Sequence, residues 1–335
     1  MTTTGWIAAF IALIVSLYVT RRAIEWALGQ RLIDVPNERS SHIIPTPRGG
    51  GLGIVAGAII GLAPLAMASM LQLRLAGALA CGCVIAVLGY LDDRHSLSVR
   101  IRLAIQALTA IAALALLWPL PPLQLPGITV LPPLAAVLYF FGLVWLTNLY
   151  NFMDGIDGIA GAQAVAVCLV WTLLATTTGI ASVALVLAAA NLGFIRYNWP
   201  PARIFMGDTG SAFVGFELGV CAIALAAETA TSVLLWLIPL AGFIADATST
   251  LLVRLVRGRR PDEAHRSHLY QRLARRFGRH SVVTILYMVL VLVVLGPLTL
   301  LTLGEAPGNA ATTLLFVVLA LSLSAIGLGA GRDDG

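Results

Sequence analysis

The 335-residue chain contains no lysine, so every basic side chain besides histidine is an arginine. A bias in codon usage accounts for that as well as any function does, and the absence by itself excludes nothing. The scarcity of charge is more decisive. Charged residues make up 11% of the chain and hydrophobic residues 59%, with a mean hydropathy of +0.92. Such a composition excludes an ordinary soluble globular protein. Cysteine is rare as well: Cys81, Cys83, Cys168 and Cys221 all fall inside apolar runs. The C-x-C pair at 81–83 has no second ligand pair nearby, which argues against zinc and for buried small apolar side chains. The sequence also lacks a recognisable soluble domain, an internal repeat and a low-complexity tail.

What the chain has instead is apolar runs of bilayer-spanning length. They cover 5–28, 51–71, 75–91, 101–118, 131–149, 159–177, 180–197, 210–227, 232–253, 282–302 and 312–330. Runs 159–177 and 180–197 are separated only by a Thr/Gly break, so ten or eleven helices are expected. The fold class is therefore all-α, a polytopic integral membrane protein, with residues 1–335 read as one transmembrane catalytic domain. The first run is long for a signal-peptide core, lacks a basic leader and carries Arg21 and Arg22 at its far end. It is read as a retained membrane helix.

The connections sort by charge. Segments 29–50, 92–100, 150–158, 198–209 and 254–281 hold nearly all loop arginines, all five histidines and the loop aspartates. The alternate connections hold Arg74, Glu228 and Glu305 and little else. The positive-inside bias makes the first set cytoplasmic and the N-terminus periplasmic. The net charge of +5 is then mostly a topology signal, though a basic inner surface also favours anionic ligands. No nucleic-acid partner is expected. Short outer connections leave little room for an extracellular binding module, so chemistry is expected at the cytoplasmic face.

Five polar stretches lie on that face. In GYLDDRHSLSVRIRLAIQ (89–106), Asp92 and Asp93 stand at a helix C-terminus, where a carboxylate opposes the macrodipole. Paired carboxylates there suit cation binding, or a ligand plus a general base; a polar loop is the bland alternative. In NLYNFMDGIDGIAG (148–161), Asn148, Asn151, Asp154 and Asp157 recur every three residues. Continued as helix, that spacing forms one polar ridge. An interhelical hydrogen-bond cluster is the competing reading. In RIFMGDTGSAFVGF (203–216), Asp208 lies between glycines, with Thr209 or Ser211 expected to cap the next helix. Its N-terminus would favour phosphate.

DEAHRSHLYQRLARRFGRH (262–280) holds His265, Arg266 and His268, suited to a pyrophosphate or simply a solvated amphipathic loop. DVPNERSSHIIPTPRGGGLGI (34–54) offers Arg39, His42, Arg48 and a triple glycine. Asp246, inside an apolar run, is a functional candidate by default, with Arg203 or Arg254 as expected partners. So many acids on one side need a divalent cation, arginines or protons to offset them. Thiolate-free oxygen sites select magnesium, with manganese the alternative. The residues alone lead to a magnesium-assisted reaction on a phosphorylated substrate at the inner membrane surface. A secondary transporter is the rival class, but transporters keep their acids near the bilayer midplane and often carry inverted repeats.

The ordered motifs DVPNERSSHIIPTPRGG (34–50), Asp92-Asp93, NLYNFMDGIDG (148–158), FMGDTGS (205–211) and HRSH (265–268) closely resemble the polyprenyl-phosphate N-acetylhexosamine-1-phosphate transferases. The resemblance implies transfer of a sugar 1-phosphate from a UDP-N-acetylhexosamine, of GlcNAc, FucNAc or QuiNAc type, to undecaprenyl phosphate with release of UMP. It implies Asp208 as the magnesium ligand, with Asp154 as a second, and Asp92, supported by Asp93, as the residue that contacts and deprotonates the lipid phosphate. Arg48, Asn148, Asn151, Asp154, Asp157 and Phe205 would line the nucleotide and metal pocket, and His265, Arg266 and His268 would hold the diphosphate. The H-x-x-H spacing is similar to the subgroup that initiates O-antigen or other surface polysaccharides. It departs from the histidine-richer peptidoglycan-precursor branch. The implied setting is the bacterial cytoplasmic (inner) membrane, among membrane lipids, with a homodimer as an open assembly.

Overall fold

The computed structural model describes residues 1–30, 33–35, 44–260, 265–306 and 308–332. Arg39 and His42 lie outside the described residues. The chain is helical almost throughout: α1 (Thr3–Gly29), α2 (Gly51–Met67), α3 (Leu73–Ala80), α4 (Gly82–His95), α5 (Val99–Leu116), α6 (Pro132–Phe152) and α7 (Ile159–Leu174). They are followed by α8 (Thr178–Asn198), α9 (Gly207–Thr229), α10 (Val233–Leu237), α11 (Ala241–Val256), α12 (Leu269–Phe277), α13 (His280–Val289), α14 (Gly296–Leu303) and α15 (Asn309–Gly327). Two small antiparallel ribbons interrupt them: β1 (Ile33–Asp34) with β2 (Thr46–Pro47), and β3 (Leu123–Leu125) with β4 (Ile128–Val130).

Several consecutive helices run on as single spans, α3 with α4, α10 with α11, and α13 with α14. Among the described residues this gives nine helices long and apolar enough to cross a membrane, plus the shorter apolar helices Gly51–Met67 and Ile159–Leu174. The apolar runs of the sequence are thus recovered as a multi-pass membrane protein. Local chemistry sets several boundaries. Pro132 stands at the start of α6, where its missing N–H costs nothing. Gly278, at φ +65°, ends α12 in the left-handed conformation that favours glycine.

The bundle is organised around α9. In its most apolar window 89% of residues are buried within the protein, against 22% for α15. A helix apolar on all sides belongs inside, and one that turns large side chains such as Leu315 and Phe316 outward belongs against lipid. Close approach to α9 depends on glycine at two places. A Cβ at Gly89 of α4 would collide with the backbone of Asp208 and Thr209, and one at Gly51 of α2 with the backbone of Gly210. These bare contacts bring the C-terminal end of α4 and the N-terminal end of α2 onto the first turn of α9.

Candidate active site

At the first turn of α9, three of the sequence motifs meet. The 47–51 segment runs beside 205–206: Phe205 N donates to Pro47 O at 2.8 Å, Gly50 N to Phe205 O at 2.9 Å and Gly51 N to Met206 O at 2.9 Å. The end of α4 completes the junction. Neither Thr209 nor Ser211 caps α9, contrary to the sequence expectation. The cap comes from another helix, because Asp93 accepts from Asp208 N (3.0 Å), Thr209 N (3.1 Å) and the Thr209 hydroxyl (2.9 Å). A carboxylate there satisfies otherwise orphaned N–H groups and faces the positive end of the helix dipole.

Asp92 and Asp93 therefore work on different sides. Neighbours on a helix are about 100° apart, and while Asp93 turns to α9 and a cavity of about 220 Å³ with Arg48, Asp92 lines a larger cavity of about 670 Å³. Both Asp92 oxygens are engaged, one by Leu97 N at 2.6 Å and the other by Arg102 Nη1 at 2.6 Å. The same Arg102 nitrogen lies 3.7 Å from Asp208 Oδ2. Arg102 thus sits between the two acids, held by one and facing the other. Sequence reasoning gave it no role; its signal was an arginine two residues after Arg100 in the start of α5, facing the same way as Gln106 four residues on.

The larger cavity also gathers Asn148, Asn151, Asp208, His265 and His268, with Gln106, Trp145 and Tyr270, which the sequence did not single out. Asn148 Nδ2 donates to Gln106 Oε1 at 2.7 Å, and Asn151 Nδ2 to the Ser211 hydroxyl at 3.2 Å. The expected helical ridge stops there. Helix α6 ends at Phe152, so Asp154 and Asp157 belong to the connection before α7 rather than to the face of Asn148 and Asn151. Gly155 lets that connection pass against Tyr270, whose hydroxyl would collide with a Cβ at this position and donates to Phe152 O at 2.9 Å.

Asp157 turns away from the cavity. Its carboxylate accepts from Ala202 N at 3.1 Å and lies 3.3 Å from His280 Nδ1, and its carbonyl accepts from the Thr284 hydroxyl at 3.0 Å. Asp154 is different: among the described residues no hydrogen-bond donor reaches its carboxylate. Burial, together with the charges of Asp208, Asp93 and Asp157, pushes its carboxyl well above the ordinary range, with Arg48 opposing.

The remaining sequence candidates sit around this centre. Arg48 pairs with Asp34 at 2.8 Å and lines the smaller cavity. Phe205 is half-buried in the 47–51 junction and outside the large cavity, and Arg266 is exposed and also outside it. Asp246 pairs with neither Arg203 nor Arg254, contrary to expectation. Its acceptors are used by Leu269 N (2.8 Å), Tyr270 N (2.9 Å), the Tyr287 hydroxyl (2.8 Å) and the Thr250 hydroxyl (3.3 Å).

Residues 75–226 match Glycosyl transferase family 4. The chain is 30% identical over 293 residues to the probable undecaprenyl-phosphate N-acetylglucosaminyl 1-phosphate transferase of Bacillus subtilis, covering 85% of this chain and 81% of that protein. This chain belongs to the polyprenyl-phosphate N-acetylhexosamine-1-phosphate transferase family. The decaprenyl-phosphate N-acetylglucosaminephosphotransferase of Mycolicibacterium smegmatis is 30% identical over 337 residues, 90% of this chain and 82% of that one. A shorter match, 48% identical over 92 residues, links 26% of this chain to 27% of the phospho-N-acetylmuramoyl-pentapeptide-transferase of Chlamydia trachomatis. Four of the motif segments that carried the resemblance reach the large cavity, through Asp92, Asn148 and Asn151, Asp208, and His265 and His268.

Whether the residues fit a divalent cation is a question of donor chemistry. Among the described residues, no three His, Cys, Asp or Glu side chains converge as an all-protein cage would require. Magnesium does not ask for one, since it keeps several waters and takes one or two carboxylates plus substrate phosphates. Asp208 in the cavity and Asp154 without a donor fit that demand.

Proposed function

We propose that the protein transfers an N-acetylhexosamine 1-phosphate from a UDP-linked donor to undecaprenyl phosphate, releasing UMP, at the cytoplasmic face of the bacterial inner membrane. In this role it starts a lipid-linked surface polysaccharide such as O-antigen. The observation that carries the reading is the mixed lining of the large cavity. Arg102, Asp92, Asp208, Asn151 and His268 are among its polar lining residues, and Leu103, Phe141, Val144 and Trp145 among its apolar ones. A phosphate on a long hydrocarbon tail needs both. Basic connections on this side of the bundle support its cytoplasmic placement.

The chemistry follows from positions and charges. An oxygen of the lipid phosphate attacks the sugar-linked phosphorus of the donor; a new P–O–P bridge forms and the bond to UMP breaks. A phosphate monoester has a second pKa of about 6, so its nucleophilic form is present without a strong base. Asp92 is accordingly assigned to holding Arg102 rather than to removing a proton. Arg102 faces the charge that spreads over the transferring phosphoryl group, and the asparagines and histidines orient the donor. Asp208 and Asp154 would hold magnesium, which supplies positive charge against the diphosphate; manganese suits the same oxygen donors. Arg48, which lines the smaller cavity, is assigned to the nucleotide side; Phe205 and Asp157 line neither cavity and are assigned to shaping the surrounding connections.

A peptide-bearing donor is the second reading, favoured by the match to the Chlamydia enzyme. The longer matches to N-acetylglucosamine transferases and the plain H-x-x-H at 265–268 favour the simpler sugar. The test is UMP release by purified protein given undecaprenyl phosphate, magnesium and a panel of UDP-GlcNAc, UDP-FucNAc, UDP-QuiNAc and UDP-MurNAc-pentapeptide. Turnover with one of the first three is the expected result. Turnover only with the pentapeptide donor would replace this reading, and none with any donor would end it.

A further inference from the structure

His268 stands at the N-terminus of α12 with two aromatic rings lying nearly parallel to its own. Its ring stacks on Phe152 at 6.4 Å and Tyr270 at 5.7 Å between centroids, and His265 lies 4.9 Å away. One edge of the His268 ring points inward: Nδ1 is buried 3.6 Å from Asp246 Oδ1, with no closed hydrogen bond. The residue nonetheless lines the large cavity, so Nε2 is the nitrogen it has to offer there.

Asp246 comes from α11, the helix before α12 and 23 residues from Leu269, and is 1% exposed. Its oxygens accept from Leu269 N and Tyr270 N, the free amides of the first turn of α12, and from the hydroxyls of Tyr287 and Thr250. A buried carboxylate so engaged is fixed in place, and the edge of imidazole nearest to it is the one that keeps a proton.

We infer that Asp246 is a positioning residue: it pins the first turn of α12 and holds the Nδ1 edge of His268, so that Nε2 is presented to the substrate cavity. The kinetic part of this inference rests on the transferase reading; the ring geometry does not. No substrate contact is assigned to Asp246 itself.

The experiment combines ring-nitrogen NMR with kinetics. In protein labelled with ¹⁵N-histidine, the His268 signals are identified by their loss in His268→Gln. A proton resident on Nδ1 in the wild type is expected, and one resident only on Nε2 would overturn the inference without any further variant. In Asp246→Asn the Nδ1 preference should disappear; an unchanged ring would overturn it. Kinetically, Asp246→Asn and His268→Gln should each lower kcat/KM by about 10- to 100-fold, the range for carboxylates that orient functional histidines. The double variant should lose little more than either single, and fully multiplicative losses would overturn the coupling. Asp246→Glu should recover part of the loss. If the wild type released UMP from no donor, the transferase reading would fall while the NMR result would stand on its own.

Discussion

Helices α9 and α12 are both started by a carboxylate from elsewhere in the chain, and the two junctions differ in how that charge is compensated. At the α11–α12 junction Asp246 is 1% exposed and is met by two amides, two hydroxyls and the edge of His268. Its charge is satisfied where it stands. At the α4–α9 junction Asp93 is half-buried and meets two amides and one hydroxyl, but Asp92, Asp154 and Asp208 crowd the same region. Arg102 offsets part of this. One junction is closed electrostatically and serves to hold a side chain still. The other keeps a surplus of negative charge on the side where a cation and a phosphate would enter.

The sharpest way to break this contrast is to remove the surplus. Asp208→Asn keeps the shape and deletes a charge, and should reduce UMP release by more than about 10³-fold, as expected when a residue holding the charge-stabilising ion is lost. A rate within tenfold of wild type would show that the open junction does not bind the cation through Asp208. Arg102→Ala comes next, with an expected loss of about 10²-fold for one charge-stabilising donor. Arg102→Lys should recover only part, because a compact, strongly hydrated ammonium lacks the planar set of donors that guanidinium offers a phosphoryl group. Full activity in the lysine variant would reduce Arg102 to a local counter-charge.

The caps themselves can be compared through stability. Asp93→Ala removes the acceptor for Asp208 N and Thr209 N and should destabilise the protein by about 1 kcal/mol, the usual size of a lost N-cap. Melting curves in the same detergent would check this. Asp246→Ala should cost more, since it leaves buried Tyr287 and Thr250 hydroxyls unpaired as well as the amides. Equal losses at the two junctions would remove the distinction between them.

The periodicity of apolar runs made the multi-pass helical fold legible, and the motif order pointed to the segments that meet at α9. What it hid was direction. Asp92 and Asp93 read as a pair because they are adjacent, yet helical geometry sends their side chains to different cavities. The three-residue rhythm of Asn148, Asn151, Asp154 and Asp157 looked helical, but the backbone leaves the helix at Phe152 and Gly158 turns to φ +79° before α7 begins. The caps of α9 and α12 were invisible because capping rules read the local sequence, whereas Asp93 and Asp246 act across 115 and 23 residues. Arg102 was overlooked because Arg100 and Arg102, together at the start of an apolar run, look like boundary markers.

The smallest expected effect tests the surplus charge directly. Asp154 holds its proton more tightly when folded than when unfolded, since burial and neighbouring acids raise it from the ordinary value of 3.8. Its contribution to stability is therefore fully present below that value and is lost as pH rises through the raised one. In the absence of divalent metal, the melting temperature should fall by a few degrees, about what 1 kcal/mol produces, as pH rises from the ordinary carboxylate range toward neutrality. Asp154→Asn should flatten that slope. Magnesium competes with the proton for the same oxygens, so the stabilisation it confers should grow with pH. A magnesium effect equal at every pH would mean that the ion sits away from Asp154, and that the negative charge of the α4–α9 junction serves Arg102 and substrate alone.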